Sequence, residues 1–493
     1  MPISLQRVAD MEPNIRRLLL VTLLYLLPSF QALLPVEDPD LWWHFRTGQW
    51  IIEHGWVPLQ DPFSVYGAGK AWIAYSWLYD ILVYDLFRAF GLVGIVWFTA
   101  AMSLLIALAL HCLVRRAKLP FLIELILLAL ALSAMKPIYS PRSWLFSILF
   151  FAVELNVALR VRSGGKRAWL MVLPPLFVLW ANLHIQFCYG LAVLALFALE
   201  SLIAAIRRSD PAGKNVDMIP LVPMLATMMG CVLATFVNPY HYRLMLVIFE
   251  YASQAGAFQN VQEFHPLFFR SPADWFILAL ALWTAYSLGW QKNYRILPLG
   301  LLLMAVLLSF RARRDSWVVV TSAAGLIGDR GMWSALGESF RITKARVVFI
   351  IAALTVGLGL MSRFREIDGI HLQRSVERHF PVDAVHFVKQ NRFPGPLYNH
   401  FDWGGYLIWS LPELPVSMDG RTNVHGDLRI DRSLRTWAGY PGWDLDPELA
   451  NARLVIADLG RPLTSHLRRD PRFRLVYEDK TAVVFIRAAG NPG

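Results

Sequence analysis

The residues with the most chemical potential begin where the first apolar run ends. Glu37-Asp38-Pro39-Asp40-Leu41-Trp42-Trp43-His44-Phe45-Arg46 gathers three carboxylates within four positions, followed by paired tryptophans, a histidine and an arginine. Clustered like charges raise one another's pKa, and such a group can accept a proton or hold a divalent cation. Further polar groups interrupt apolar sequence at Lys136-Pro-Ile-Tyr-Ser-Pro-Arg142, Trp180-Ala-Asn182-Leu-His184, Asn238-Pro-Tyr240-His241-Tyr-Arg243 and Arg311-Ala-Arg313-Arg314-Asp315. Arginine is the side chain suited to two-point recognition of phosphate. Transfer from a lipid phosphate needs both sets: a carboxylate to deprotonate the acceptor, and cations to stabilise the departing phosphate. Asp38 and Asp40 are the catalytic candidates. His44, Arg142, His184, Arg311, Arg313 and Arg314 are the candidates for substrate and phosphate binding. Asp38 and Asp40 are also the candidate ligands of a divalent cation, Mg or Mn, the one cofactor the sequence points to. Taken singly, the same residues have plainer readings: a solvated loop start with an interfacial tryptophan belt, a helix-packing His184, and arginines reaching for lipid headgroups.

These residues must be positioned by a mostly apolar chain. Of 493 residues, 56% are hydrophobic and only 17% charged, which excludes disordered, collagen-like and disulfide-scaffold classes and points to a polytopic membrane protein. Apolar runs long enough to consider as spans lie near 17–36, 92–113, 120–135, 143–159, 169–183, 185–206, 218–237, 274–290, 296–310, 316–328 and 347–361. With the N-terminus inside, these eleven spans place 19 of the Lys/Arg residues of 1–361 on the cytoplasmic side and 10 outside. They include Arg115, Arg116, Lys118, Arg160, Arg162, Lys166, Arg167, Arg207, Arg208, Lys214 and the basic residues of 329–346 on the inside. Counting 75–90 as a further span reverses every later loop, so that stretch reads as an interfacial amphipathic helix. No cleavable signal peptide is evident. The expected outer loops are 37–91 and 238–273, and Arg142, His184, Arg311, Arg313 and Arg314 then share the outer face with the acidic motif. Three arginines on the translocated side oppose the topological trend, which marks them for a use.

The net charge of +11 invites a nucleic-acid reading that its distribution opposes. Residues 1–361 carry 29 Lys/Arg against 20 Asp/Glu, and residues 362–493 carry 18 against 16. The excess therefore belongs to the membrane part, and nucleic acid is not an expected partner. Cys112, Cys188 and Cys231 all lie in apolar runs and read as inert thiols. Residues 362–493 read as a small α/β domain on the extracytoplasmic (periplasmic) side. Its expected elements are a helix over 381–390, a strand after Gly395, a glycine turn at Trp403-Gly-Gly-Tyr406 and a buried strand over Val416–Arg421. A strand at 453–458, a helix over 462–469 and a hairpin pairing Phe473–Glu478 with Ala482–Arg487 complete it. Asp402, Asp419, Arg421 and Asn423 read as turn chemistry rather than a second active site.

The layout resembles the GT-C superfamily of membrane glycosyltransferases. Asp38-Pro-Asp40-Leu-Trp-Trp-His44, Trp180-Ala-Asn-Leu-His184, Asn238-Pro-Tyr240, and Trp403-Gly-Gly-Tyr406 with Asp419-Gly-Arg421 are similar to uncharacterised bacterial members. The resemblance implies a membrane domain over 1–361, a C-terminal domain over 362–493 and a location in the bacterial inner membrane. It further implies an acidic residue of the first outer loop, here Asp38 or Asp40, as base or metal contact. A polyprenyl-phosphate sugar would be the donor, with a lipid, glycan or protein acceptor. A different class stays open beside it: a non-enzymatic transporter or an assembly factor for cell-surface polysaccharide. Transporters carry ionisable residues at mid-membrane and repeated halves; here the polar residues gather at one interface and no internal symmetry is visible.

Overall fold

In a computed structural model that describes residues 13–207, 218–328 and 344–488, helices occupy all eleven apolar stretches. Arg208, Lys214 and the basic residues of 329–343 lie outside the described residues. Five helical segments are long and apolar enough to cross a membrane: Ile15–Ala32, Trp77–Ala117, Trp144–Arg162, Phe187–Ile206 and Arg346–Phe364. Others are shorter than the roughly 20 residues a straight crossing takes, among them Phe121–Ala134 and Ile296–Arg311. Only 6% of the Arg346–Phe364 window is buried, an apolar surface better suited to lipid than to water. The 75–90 stretch is helical, and it continues into the next span as one run, Trp77–Val114, broken at Gly91. There the backbone takes φ 60° and ψ −155°, a conformation open to glycine and strained for any other residue.

The chain divides into two compact units. One comprises Met1–Leu34, Val96–Asn238 and Glu263–Ile367; the other comprises Pro35–Ile95, Pro239–Gln262 and Asp368–Gly493. In the first, the Pro13–Ala32 and Lys344–Phe364 helices pack together, and Gly357 lets the Leu26 side chain approach. The Pro272–Trp290 helix starts from a complete capping box, with Ser271 and Asp274 each satisfying the other's backbone N–H, and Pro272 supplies a preset first turn.

The second unit contains a four-stranded sheet in the order β1-β2-β4-β3, formed by β1 (Leu397–Asn399), β2 (Leu454–Asp458), β3 (Phe473–Glu478) and β4 (Ala482–Arg487). β1 runs parallel to β2, while β4 is antiparallel to both β2 and β3. Alternate residues bury Tyr398, Val455, Ala457, Val483 and Phe485 against Trp437, Leu449, Leu463 and Leu467. Two expected elements differ. Trp403–Trp409 is not a turn but the start of a short helix, Gly404–Ser410. Val416–Arg421 adds no strand to the sheet, because the Asn399 side chain occupies its place. Asn399 Oδ1 accepts from Ser417 N at 2.9 Å, and Nδ2 donates to Met418 O at 2.8 Å. Val416 instead exchanges backbone hydrogen bonds with the first loop, donating to Phe63 O at 3.1 Å and accepting from Val65 N at 2.9 Å.

Candidate functional site

In the helical unit, a break between two helices sets up a cluster of cations. The Leu173–Leu183 helix ends at an extended His184, and Phe187–Arg207 begins three residues later, so His184, Gln186 and Tyr189 fall together. Ser147 Oγ bonds His184 Nδ1 at 2.8 Å and accepts from Trp180 Nε1 at 2.7 Å, which fixes the imidazole. A one-turn helix, Arg313–Asp315, connects Ile296–Arg311 to Trp317–Leu326 and faces this break. Asp315 accepts from Gln186 Nε2 at 2.6 Å and from Tyr189 OH at 2.9 Å. Arg142 and Arg314 both approach Glu263, each at 3.8 Å, and Arg314 lies 3.9 Å from Asp315. These separations exceed a normal hydrogen bond. Arg314 also lies over the Phe264 ring at 4.0 Å, and Arg142 over Trp144 at 5.2 Å. Arg313 donates its backbone N–H to His265 O at 2.9 Å, while its buried Nε has no hydrogen-bond partner among the described residues.

The electrostatics of this cluster follow from burial and from its arginines. Burial, then Arg314 and Arg142, push the His184 imidazole well below its usual range, so it acts as a neutral hydrogen-bonding group rather than a cation. Burial holds the Asp315 carboxyl above the ordinary range, only partly offset by Arg314 and the Tyr189 hydroxyl, while Arg311 also pulls it down. Arg142, His184 and Arg314 are thus brought together, Arg311 lies within electrostatic reach of Asp315, and Arg313 shares the same turn. Glu263, Gln186 and Tyr189 were not singled out by sequence; the signal for Glu263 is an acid amid the aromatics of 238–273.

The acidic motif belongs to the second unit. Asp38 Oδ1 accepts from Asp40 N at 3.0 Å, a local turn that aims Asp40 at the start of the Leu41–His54 helix. The Asp40 carboxylate makes no capping bond to that helix and lies instead against Gly420, where a Cβ would sit 1.8 Å from Oδ1. Gly405 admits the Pro39 carbonyl, which would stand 2.3 Å from an added Cβ, and Gly404 admits the Met418 carbonyl at 2.0 Å. The Trp-Gly-Gly-Tyr and Asp-Gly-Arg motifs thus share one physical reason: each gives up a side chain where backbone or the acidic loop passes close. His44 is buried, with Nδ1 2.6 Å from Asp80 Oδ1 and its ring 3.6 Å from that of Trp43. Gly48 allows the approach that makes this pair, since a Cβ there would meet Asp80 O at 2.2 Å.

Asp419 and Arg421 form a buried knot. Arg421 donates Nε to Asp419 Oδ1 at 2.8 Å, Nη2 to Asp419 Oδ2 at 2.7 Å and Nη1 to Asp61 Oδ1 at 2.7 Å. Its guanidinium lies over Trp72 at 4.6 Å and Phe63 at 5.2 Å. Tyr240 has a similar tying role, accepting from Ala74 N at 3.1 Å and donating to Pro58 O at 2.9 Å. For a divalent cation, Asp38 and Asp40 supply two carboxylates where Mg or Mn takes about six ligands. Among the described residues, no group of three or more His, Cys, Asp or Glu side chains could hold a metal ion. Two carboxylates suit a cation that completes its shell with water and substrate phosphate oxygens rather than one caged by side chains alone, and the chemistry below uses the chain's own side chains.

No protein-family model matches the chain, and no curated protein matches it. Among solved structures, it is similar to the oligosaccharyltransferase of Archaeoglobus fulgidus in its apo form, with a TM-score of 0.50 and 13% sequence identity. The match covers 91% of this chain and 70% of that one. At that identity the likeness is one of fold, and the fold is GT-C-like.

Proposed function

We propose that the chain is an integral-membrane glycosyltransferase of the bacterial inner membrane, working at the extracytoplasmic face on a polyprenyl-phosphate-linked sugar. The observation that carries this reading is the arginine cluster of the helical unit. Arg142 and Arg314 converge on the single carboxylate of Glu263, with Arg311 ending the adjoining helix and Arg313 on the turn after it, so cationic charge is in excess there. Guanidinium groups held this way can take up phosphate oxygens by small side-chain movements, and the GT-C-like fold supports the same class of chemistry.

In the reaction, the acceptor hydroxyl oxygen attacks the sugar's anomeric carbon and the bond from that carbon to the phosphate oxygen breaks. Configuration inverts, and the polyprenyl phosphate leaves with the electron pair. The arginines balance the charge that grows on the departing phosphate, and His184 adds a neutral hydrogen bond. Asp38 or Asp40 takes the acceptor's proton. Asp38 Oδ1 accepts from Asp40 N and so holds the local turn, which gives Asp38 a positioning role and makes Asp40 the residue to test first. The acceptor is a lipid, glycan or protein hydroxyl-bearing group. The test is transfer by protein in lipid nanodiscs from a panel of polyprenyl-phosphate sugars. Asp40→Asn is expected to lower the rate by about 10²-fold or more, the scale of a general base, with Asp38→Asn less affected. Undiminished transfer by Asp40→Asn removes that residue from the role.

A further inference from the structure

Away from the acidic motif, the C-terminal part of the second unit has a cavity of about 230 Å³ between the Asp427–Trp437 helix and the loop after it. Asp431, Arg432, Arg435 and Thr436 line it from the helix, and Tyr440 and Trp443 from the loop. Asp431 and Arg435, Arg432 and Arg435, and Arg432 and Thr436 are three or four positions apart, so these four polar side chains lie along one side of the helix. We infer that this cavity binds one pyranose ring of an acidic glycan.

Size is the first argument. Pockets for drug-sized ligands run to roughly 300–1,000 Å³, so this one suits a single ring. Chemistry is the second. Aromatic rings flanking a polar floor match a sugar, which presents C–H faces to rings and hydroxyls to donors and acceptors. Tyr440 is 56% exposed and available for such a contact. Preorganisation is the third. Glu448 holds Arg432 at 2.7 Å, Thr436 donates to the buried Asp446 at 2.9 Å, and His466 stacks on Trp443 at 4.9 Å. The floor therefore keeps its shape without a ligand, which lowers the entropy lost on binding. Charge decides the type of sugar. Arg432 shares Glu448 with Arg429, and Arg435 makes no ion pair among the described residues and lies over the Tyr440 ring at 5.7 Å, so the two arginines of the lining outnumber its one carboxylate, Asp431. The Arg435 guanidinium is positioned for a carboxylate, so a hexuronate fits better than a neutral hexose.

Binding is read here without turnover, so the inference is independent of transferase activity. Full-length protein in nanodiscs, free of sugar-headed detergent, is titrated with a methyl glucuronide, the matching methyl glucoside and inorganic phosphate. Saturation-transfer NMR and calorimetry follow binding. The glucuronide is expected to bind about tenfold or more tightly than the glucoside, with phosphate weaker than both. Arg435→Gln should bring the glucuronide down to the glucoside's affinity, and Tyr440→Ala should weaken both sugars. These side chains are exposed, and an unchanged melting temperature confirms that each variant folds. No sugar binding at millimolar concentration would overturn the inference. So would equal affinity for the two sugars, phosphate binding as tightly as the glucuronide, or an Arg435→Gln variant that binds normally.

Discussion

Two arginine–carboxylate clusters in this molecule use the same side chains to opposite ends. In the second unit, Arg421 spends three nitrogens on Asp419 and Asp61 at 2.7–2.8 Å, with both acids fully buried. In the helical unit, Arg142 and Arg314 meet Glu263 at 3.8 Å, and the arginines keep 16% and 20% of their side-chain surface exposed. The carboxyls respond accordingly. Burial alone would raise Asp419, but Arg421 and His425 outweigh it and hold the carboxyl well below the usual range. Asp315 goes up instead, because burial outweighs Arg314 and the Tyr189 hydroxyl. Arg421 meets two carboxylates with one guanidinium and is a structural tie, whereas in the helical unit two guanidiniums share the single carboxylate of Glu263, which leaves positive charge in excess for an outside anion.

The largest effect should come from breaking the saturated cluster. Arg421→Ala leaves Asp61 buried without its counter-charge and Asp419 with His425 alone, which costs about 3–5 kcal/mol. Thermal melting should shift down sharply; a variant that melts like the parent would mean the knot is no structural tie. Arg314→Gln should do the reverse. Glu263 keeps Arg142 beside it in that variant, so stability should change less than in Arg421→Ala, while transfer from a polyprenyl-phosphate sugar falls about 10²-fold. If Arg314→Gln lost stability and kept transfer, the contrast between the two clusters would be void.

Local periodicity made parts of the molecule legible in advance. The hairpin β3–β4 has the expected bounds, because two short runs rich in β-branched and aromatic residues, one of them the continuous apolar Ala482–Ile486, flank Asp479-Lys480 within fifteen positions. The apolar stretches are helical for the same reason: each carries its own signal. What escaped the sequence depends on distant pairing. Asp61 and Arg421 lie 360 positions apart, and nothing local to either announces the other. Val416–Arg421 has strand composition, but the Asn399 side chain claims its backbone groups. The arginines of the candidate site were legible as misplaced charges, whereas their carboxylate neighbour Glu263 was an ordinary loop acid until the fold brought it near. The two glycine motifs were visible as motifs, and only the close approach of Pro39 and Asp40 gives them a reason.

Acid offers the gentlest test of the comparison, because it separates the saturated knot from its neighbour His400. Burial, and then Arg461, lower the His400 imidazole from 6.5 to about 3. Below pH 6.5 the unfolded chain takes up a proton that the folded chain refuses, so this residue makes stability fall as pH drops from 6.5 towards 3. Asp419 has the same sign but a lower window. Its depressed carboxyl contributes stability that is present above the ordinary 3.8 and lost only as pH falls through the folded-state value beneath it. Between pH 6.5 and 4, therefore, the knot should hold while His400 contributes a declining slope. His400→Asn should flatten that slope, since an amide oxygen can still accept the Asp402 N–H that Nδ1 accepts at 3.2 Å, without titrating. Melting curves at pH 7, 5.5 and 4.5 for both proteins measure it. An unchanged slope in the variant would move the acid sensitivity to a group other than His400.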